Sequence, residues 1–409
     1  MPPRQTLTSG VLSTPNATAT PLPRILRPQR ALPADAVRPT RAEVNLANLR
    51  HNLRVVERAA EGRPVWAVLK ADGYGHGAKG VARTLERAGA SGICVALLEE
   101  GIELREAGIR VPILVTGGYF GRAWSEVVRH ELTPVLHDPG QIEALAEEVR
   151  FSESGSVRAH VKIDTGMSRL GVNPADVERV ASVLSAHPEV RLEGLMTHFA
   201  SADSDDLQSI EAQLDLFDAA TATLARHGHV PTLRHAANSA ALLRCPRALL
   251  DLVRPGIALF GVEPKEGMVK GLRSVMRVRS EIIALRDVPV GGCVGYGATW
   301  TAKRPSRIAT IPMGYADGLV RALSNKGAVL VRGKRAPIVG AVSMDMTMID
   351  VTDHPGAGVG DEICALGPQK GPLGEDAIGA DELARELGTI PWEILTNVSR
   401  RVPRFYREP

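Results

Sequence analysis

"PVWAVLKADGYGHGAKGVARTLERAGA", residues 64–90, contains the repeating unit of the fold. Residues 64–70 are an apolar run of strand length that ends on Lys70. A glycine turn follows, with Tyr74 and His76 inside it. From residue 77 apolar residues recur at helical spacing as far as residue 90. Strand, turn and amphipathic helix make one βα unit. Its repetition decides the architecture, and the residue at each strand end decides the chemistry.

The unit recurs along the chain. "GICVA" precedes the helix-like "LLEEGIELREAG", and "VPILVTGG" precedes residues 121–131. "LTPVLHD" runs into "PGQIEALAEEV", where Asp138 is placed to cap a helix and Pro139 to occupy its first turn. "VRAHVKID" (157–164) is a fifth strand, and Asn173 and Pro174 repeat the capping device. "VRLEGLMTHF" (190–199) is a sixth, followed by a helix over about 206–227. "PTLRHAANS" and "LLDLVRPG" supply a seventh and an eighth. Eight units in about 230 residues is the count of a (β/α)8 barrel. Periodicity alone leaves a doubly wound open sheet in contention.

From about residue 275 the runs become short, β-branched and separated by Gly or Pro: "VRSEIIALRDV", "SRIATIPMG", "AVLVRGKRAPIVGAV", "TMIDVT" and "GDEICALG". Only "ADELARELG" reads as a helix there. The expected organisation is a disordered extension over 1–39, an α/β barrel over 40–274 and a mostly β domain over 275–409. The extension is rich in Pro, Arg, Ser and Thr, has no acidic residue before Asp35 and contains no apolar signal-peptide core.

Bulk properties narrow the function classes. The 409 residues are 44% hydrophobic and 23% charged with a net charge of only +3, which argues against a nucleic-acid surface. No apolar run reaches the roughly 18 residues that cross a bilayer. Cys94, Cys245, Cys293 and Cys364 are scattered, without a CxxC or a metal-like cluster. Reduced thiols in a cytoplasmic protein fit better than a disulfide framework, and no metal is expected.

In a parallel barrel the active site lies at the carboxyl ends of the strands. Standing there are Lys70; Lys162 and Asp164, with Arg169 just beyond; Thr197 and His198; His235, Asn238 and Ser239; and Arg254 with Gly256. A lysine at a strand end is most often simply solvated. Lys70 differs in its apolar approach and in the glycine turn behind it, a setting in which an amine loses charge and can attack an aldehyde. Tyr74 either binds a phosphate or caps the turn. "ANS" (237–239) and "RPGIALFG" (254–261) expose backbone N–H groups at adjacent strand ends, where barrel phosphate sites recur; loop economy explains either one alone. Lysine plus phosphate site points to pyridoxal phosphate. His198 is either a core histidine or a plate against a cofactor ring. Arg169 is either a carboxylate clamp or an ion-pair partner of Asp164. In the second domain, glycines flank Tyr296 in "VGYGATW", Tyr315 sits in "GYADG", and "SMDM" carries Met344 and Asp345.

Taken together, "VLKADGYGHG", "KIDTGMSRLG", "THFA", "ANSAA", "RPGIALFG", "GYGATW", "GYADG", "SMDM" and "RVPRFY" occur in the order found in alanine racemases, and the chain resembles that family over roughly residues 40–406. The resemblance implies that Lys70 carries pyridoxal phosphate and serves as one base. Tyr296, from a partner subunit, would serve as the other, in a homodimer with shared active sites. It further implies that Tyr74, Ser239, Gly256 and Ile257 hold the phosphate. His198 and Asn238 would also contact the cofactor, and Arg254 would face the pyridine nitrogen. Arg169, the partner's Met344 and Tyr315 would meet the substrate, with Lys162, His235 and Asp345 in support. Lys162 matches a lysine that the family can carbamylate. The product would be D-alanine for peptidoglycan.

Three positions depart from the family pattern: Trp392 where a tyrosine is common, Ser343 for a frequent cysteine, and Phe260 for a tyrosine. Other functions left open are a racemase of broader range acting on serine or lysine, and a non-catalytic pyridoxal-phosphate-binding protein. The latter is disfavoured by the second domain. A basic amino-acid decarboxylase is disfavoured because Arg254 stands where an acidic residue is expected.

Overall fold

The computed structural model describes residues 37–118 and 123–408. The expected amino-terminal extension lies, through residue 36, outside the described residues.

Seven parallel strands form one curved sheet in chain order: Trp66–Val68, Gly92–Val95, Ile113–Val115, Thr133–Leu136, Val157–Lys162, Val190–Met196 and Leu233–His235. The eighth segment closes it. The Asp251 and Arg254 amides donate to Arg234 O and Ala237 O on one edge, while Trp66 N and Val68 N donate to Val253 O and Pro255 O on the other. Pro255 removes a donor from this segment, so it pairs as a bridge at Val65 and Val253 rather than as a long ladder. The barrel expected from eight repeats is the fold observed.

Helices cover the outside as their patterns require. Asp138 accepts from Gly140 N at 2.7 Å and caps Pro139–Phe151, with proline in the first turn. Asn173 caps Pro174–Asp176 in the same way, and Asn238 caps Ser239–Arg244. The barrel interior is packed, with Trp66, Cys94, Leu114, Val135, Met196 and Leu252 forming one buried cluster.

The second domain is mostly β, as the short runs imply. Its main sheet runs Lys334–Pro337, Ala328–Val331, Glu362–Gly371, Met276–Glu281, Arg41–Asn45 and Arg404–Arg407, with Gly374–Ile378 paired to Glu362–Gly371. Two of these assignments differ from the sequence reading. Arg41–Asn45, expected at the start of the barrel region, lies antiparallel to Met276–Glu281 and parallel to Arg404–Arg407. Its alternation faces Ala42 and Val44 into the core and Glu43 to the other side, where Arg279 and Arg407 reach it at 2.5 and 2.6 Å. Alternation identifies such a strand but not the sheet that it joins. A second helix, Pro391–Asn397, follows Ala380–Leu387. At seven residues it is too short to show a period.

A hairpin, Cys293–Val294 with Trp300–Thr301, carries Tyr296 in its connecting turn. Among the described residues no helix is long and apolar enough to cross a membrane, and no group of acidic, Cys and His side chains is placed to hold a metal ion.

Candidate active site

At the carboxyl end of the barrel a cavity of about 250 Å³ brings together Lys70, Tyr74, His198, Asn238, Ser239, Arg254, Gly256 and Ile257. These are the residues singled out as cofactor ligands. The loops also contribute Met167, which lies within "KIDTGMSRLG" but has no role in the sequence reading, and Asp203 and Pro264, which no motif marked, and the second domain contributes Trp392.

Lys70 ends the first barrel strand and stands at the open mouth of the cavity. Protein nonetheless surrounds enough of the side chain to desolvate it. That burial, followed by the charge of Arg169, lowers its pKa, while Glu100 opposes the shift. The chain then turns in an unusual way. Ala71, Asp72, Gly73 and Tyr74 all have φ between +51° and +62°, so only one of the four is a glycine. Glu100 steadies the entry, with Oε1 accepting from Ala71 N at 2.6 Å and Oε2 from Ala96 N and Leu97 N on the next strand end.

The left-handed turn brings the Tyr74 hydroxyl against the last strand end. A Cβ at Gly256 would stand 2.3 Å from that hydroxyl oxygen, so only glycine allows the approach. Ser239 Oγ accepts from Gly256 N at 2.9 Å, and Ile257 opens a 3₁₀ turn whose first amide has no acceptor within the turn. Hydroxyls and backbone N–H groups thus converge in one part of the cavity lining, the donor set that a phosphate requires.

Arg254, only 4% exposed, forms part of the cavity wall. Burial pushes its pKa down to about 10, so it stays cationic at neutral pH. Its guanidinium donates to Thr197 O at 2.8 Å and to His235 Nδ1 at 2.5 Å. His235 Nε2 lies 2.8 Å from His160 Nδ1, and His160 Nε2 lies 3.4 Å from Glu193 Oε2. Arginine only donates and a carboxylate only accepts, so both histidines must be neutral Nε2–H tautomers. Burial agrees, holding the pKa of His235 well below the usual value and lowering that of His160. His198 is pushed down to about 3 by burial and then by Arg254, and is neutral as well.

Lys162 is buried beside these groups, and desolvation, then Arg169 and Arg254, bring its pKa to about 8. Asp164 does not pair with Arg169; its Oδ1 accepts from the amides of Gly166, Met167 and Ser168 at 3.0 Å each. Arg169 is exposed beyond that loop and outside the cavity lining. Tyr296, Tyr315, Met344 and Asp345 line no part of the cavity in their own chain. Asp345 instead pairs with Arg401 at 2.7 Å.

The site fits pyridoxal phosphate: its lining combines a lysine with a lowered pKa, an anion cradle, a neutral imidazole and a cationic arginine. The comparisons agree. Residues 44–264 match the family model "Alanine racemase, N-terminal domain" and residues 275–406 match "Alanine racemase, C-terminal domain". An alanine racemase of Sorangium cellulosum is 60% identical over 91% of this chain and 100% of its own length. An alanine racemase 2 of Caldanaerobacter subterraneus is 43% identical over 91% of this chain and 96% of its own. Among solved structures, the alanine racemase from Streptomyces coelicolor superposes with a TM-score of 0.85 at 37% identity, covering 91% of this chain and 99% of that one. With matches across both domains at such identity, the chain belongs to the alanine racemase family.

Proposed function

We propose that the protein is a pyridoxal-phosphate-dependent racemase that interconverts L- and D-alanine, with one base for each face of the substrate Cα. The observation that carries this reading is the cavity lining, in which a lysine and a phosphate cradle are joined by a buried arginine rather than a carboxylate. When bound, pyridoxal phosphate withdraws electrons from the substrate and so acidifies its Cα–H bond.

The chain supplies the rest. Lys70, its ammonium disfavoured by burial and by Arg169, is suited to accept a proton and return it on one face, the face of the D-isomer. Tyr74, Ser239, Gly256 and Ile257 fix the phosphate, and the His198 ring packs as a neutral plate. Arg254, held by His235 and Thr197 O, donates hydrogen bonds without surrendering a proton, which keeps the chemistry at proton exchange.

The second base is Tyr296, delivered from a partner subunit. It is 76% exposed at a hairpin tip, and Tyr315, Met344 and Met346 on the same domain are 41%, 51% and 46% exposed. Such exposure of aromatic and thioether groups on this domain supports the reading that another subunit covers it. Arg169 and the partner's Met344 then take the substrate carboxylate. The buried free thiols of Cys94, Cys245 and Cys364 suit a cytoplasmic enzyme supplying D-alanine for peptidoglycan.

Proton NMR of L-alanine with the cofactor-loaded protein in D2O, with chiral analysis, is the test. Loss of the α-proton signal together with D-alanine is the expected result. Exchange without inversion would refute the two-base arrangement, and absence of exchange would refute the substrate.

A further inference from the structure

The turn after Lys70 cannot hold itself. Ala71, Asp72 and Tyr74 occupy the left-handed region at φ +52°, +56° and +51°. Each such non-glycine residue costs roughly 1–2 kcal/mol, so the surroundings must impose the conformation. Part of the support is local. Asp72 Oδ1 accepts from Ala78 N at 2.8 Å, and His76 Nδ1 lies 3.0 and 2.9 Å from Gly73 O and Tyr74 O.

The remainder comes from the far end of the chain. Arg404, 6% exposed, donates from Nε to Gly75 O at 2.9 Å. Its two terminal nitrogens donate to Val398 O, Ser399 O and Val402 O at 2.5–2.6 Å. One guanidinium therefore ties the lysine turn to the segment that follows the helix carrying Trp392. The Tyr406 hydroxyl donates to His76 O and Gly77 O at 3.2 and 3.1 Å. Two glycines show how closely the tail is pressed on the turn. A Cβ at Gly75 would lie 2.3 Å from Leu395 O, and one at Gly80 would lie 2.5 Å from the Tyr406 ring.

We propose that Arg404 and Tyr406 are positioning residues for the active site of their own chain. The second domain's carboxy-terminal strand sets the conformation of residues 71–77, and with it the direction of the Lys70 amine and the Tyr74 hydroxyl. This assigns the second domain a task in its own subunit besides the one toward the partner. Only the consequence for cofactor binding rests on the function proposed above.

The test uses full-length Tyr406→Phe, which keeps the ring over Gly80 and removes only the hydroxyl, with Arg404→Lys as companion. Amide hydrogen exchange in cofactor-free protein is followed by the dissociation constant for pyridoxal phosphate. For Tyr406→Phe, exchange at Gly73, Gly75, His76 and Gly77 should rise about tenfold, the equivalent of the lost hydrogen bonding. The dissociation constant should rise by a similar factor, while exchange at Ile113–Val115 stays unchanged. Arg404→Lys, unable to reach all four carbonyls, should loosen the same amides further. Turn exchange within twofold of wild type, uniform loosening of the whole barrel, or a loosened turn with unchanged cofactor affinity would each overturn the proposal. Were the parent protein to bind no pyridoxal phosphate, the functional reading would fail, and the exchange data would still decide whether the tail holds the turn.

Discussion

Gly256→Ala places a methyl group where the Tyr74 hydroxyl now sits, with the nearest contacts at 2.3 Å to that oxygen and 3.0 Å to ring carbon Cζ. The ring has nowhere to go. Tyr74 is 5% exposed, its centroid lies 5.0 Å from that of Phe260, and its backbone is locked in the left-handed turn. Overpacking of this kind costs about 1–3 kcal/mol, a fall in melting temperature of about 2–6 °C. Displacing the hydroxyl from the phosphate cradle removes a charge-assisted hydrogen bond worth about 1.5–3 kcal/mol. The dissociation constant for pyridoxal phosphate should therefore rise about 10- to 100-fold. Fluorescence titration of the apoenzyme and thermal denaturation measure the two effects separately. Tyr74→Phe alone should weaken cofactor binding with little thermal cost, because it removes the hydroxyl without adding bulk. Combined with Gly256→Ala, it should restore more than half of the lost thermal stability, since the closest contact no longer exists. Additive thermal losses, or a Gly256→Ala protein binding cofactor within twofold of wild type, would refute the close approach.

Two further outcomes follow from the electrostatics of the cavity. Arg254→Glu should raise the fraction of turnovers that end in pyruvate by about tenfold or more, measured with lactate dehydrogenase, because a carboxylate beside the pyridine nitrogen favours its protonation; an unchanged fraction would refute the role given to Arg254. Lys162, at about 8 in the folded chain against about 10.4 when unfolded, binds fewer protons folded than unfolded between those values, so stability rises with pH across that window. Urea denaturation of the apoenzyme in CO2-free buffer should show this gain between pH 7.5 and pH 10 as measured relative to Lys162→Met; equal slopes for the two proteins would count against a buried free amine.

What could be read from the sequence was whatever local order determines. Lys70 and Arg254 were legible because each directly follows an apolar run, and Ser239 and Gly256 because they stand within a few residues of one; a barrel sends every such end to one place. Asp138 and Asn173 were legible as caps because proline stands beside each. The left-handed turn was not, since "ADGY" holds a single glycine and the conformation of Ala71, Asp72 and Tyr74 is imposed by Glu100, His76, Arg404 and Tyr406. Asp203 and Pro264 reach the cavity from loops with no pattern to mark them. The pairing of Arg41–Asn45 with Arg404–Arg407 joins residues more than 350 positions apart, and nothing in a five-residue alternation names so distant a partner.

The cavity's charge explains why these parts act as a unit. Lys70, Lys162 and Arg254 all have lowered pKa values, with burial the first cause in each case and Arg169 adding to the shift at both lysines. Among the carboxylates close by, Glu100 and Asp164 each already accept from three backbone amides, Asp203 is an exposed part of the lining, and Glu193 is reached only through two neutral histidines. Without an anion, such a set holds its cations under mutual repulsion. On the function proposed above, a phosphate at Tyr74 and Gly256 and a substrate carboxylate at Arg169 would supply negative charge, and each would stabilise the cations that bind the other. The same anions would raise the pKa of Lys70, opposing the downward shift that burial and Arg169 impose, and so make it a better proton acceptor as the site fills. On that function, burying arginine rather than glutamate in the cavity wall would do two things at once: it would deny the cofactor ring a proton, and it would keep the cavity cationic enough to gather both anions around one lysine.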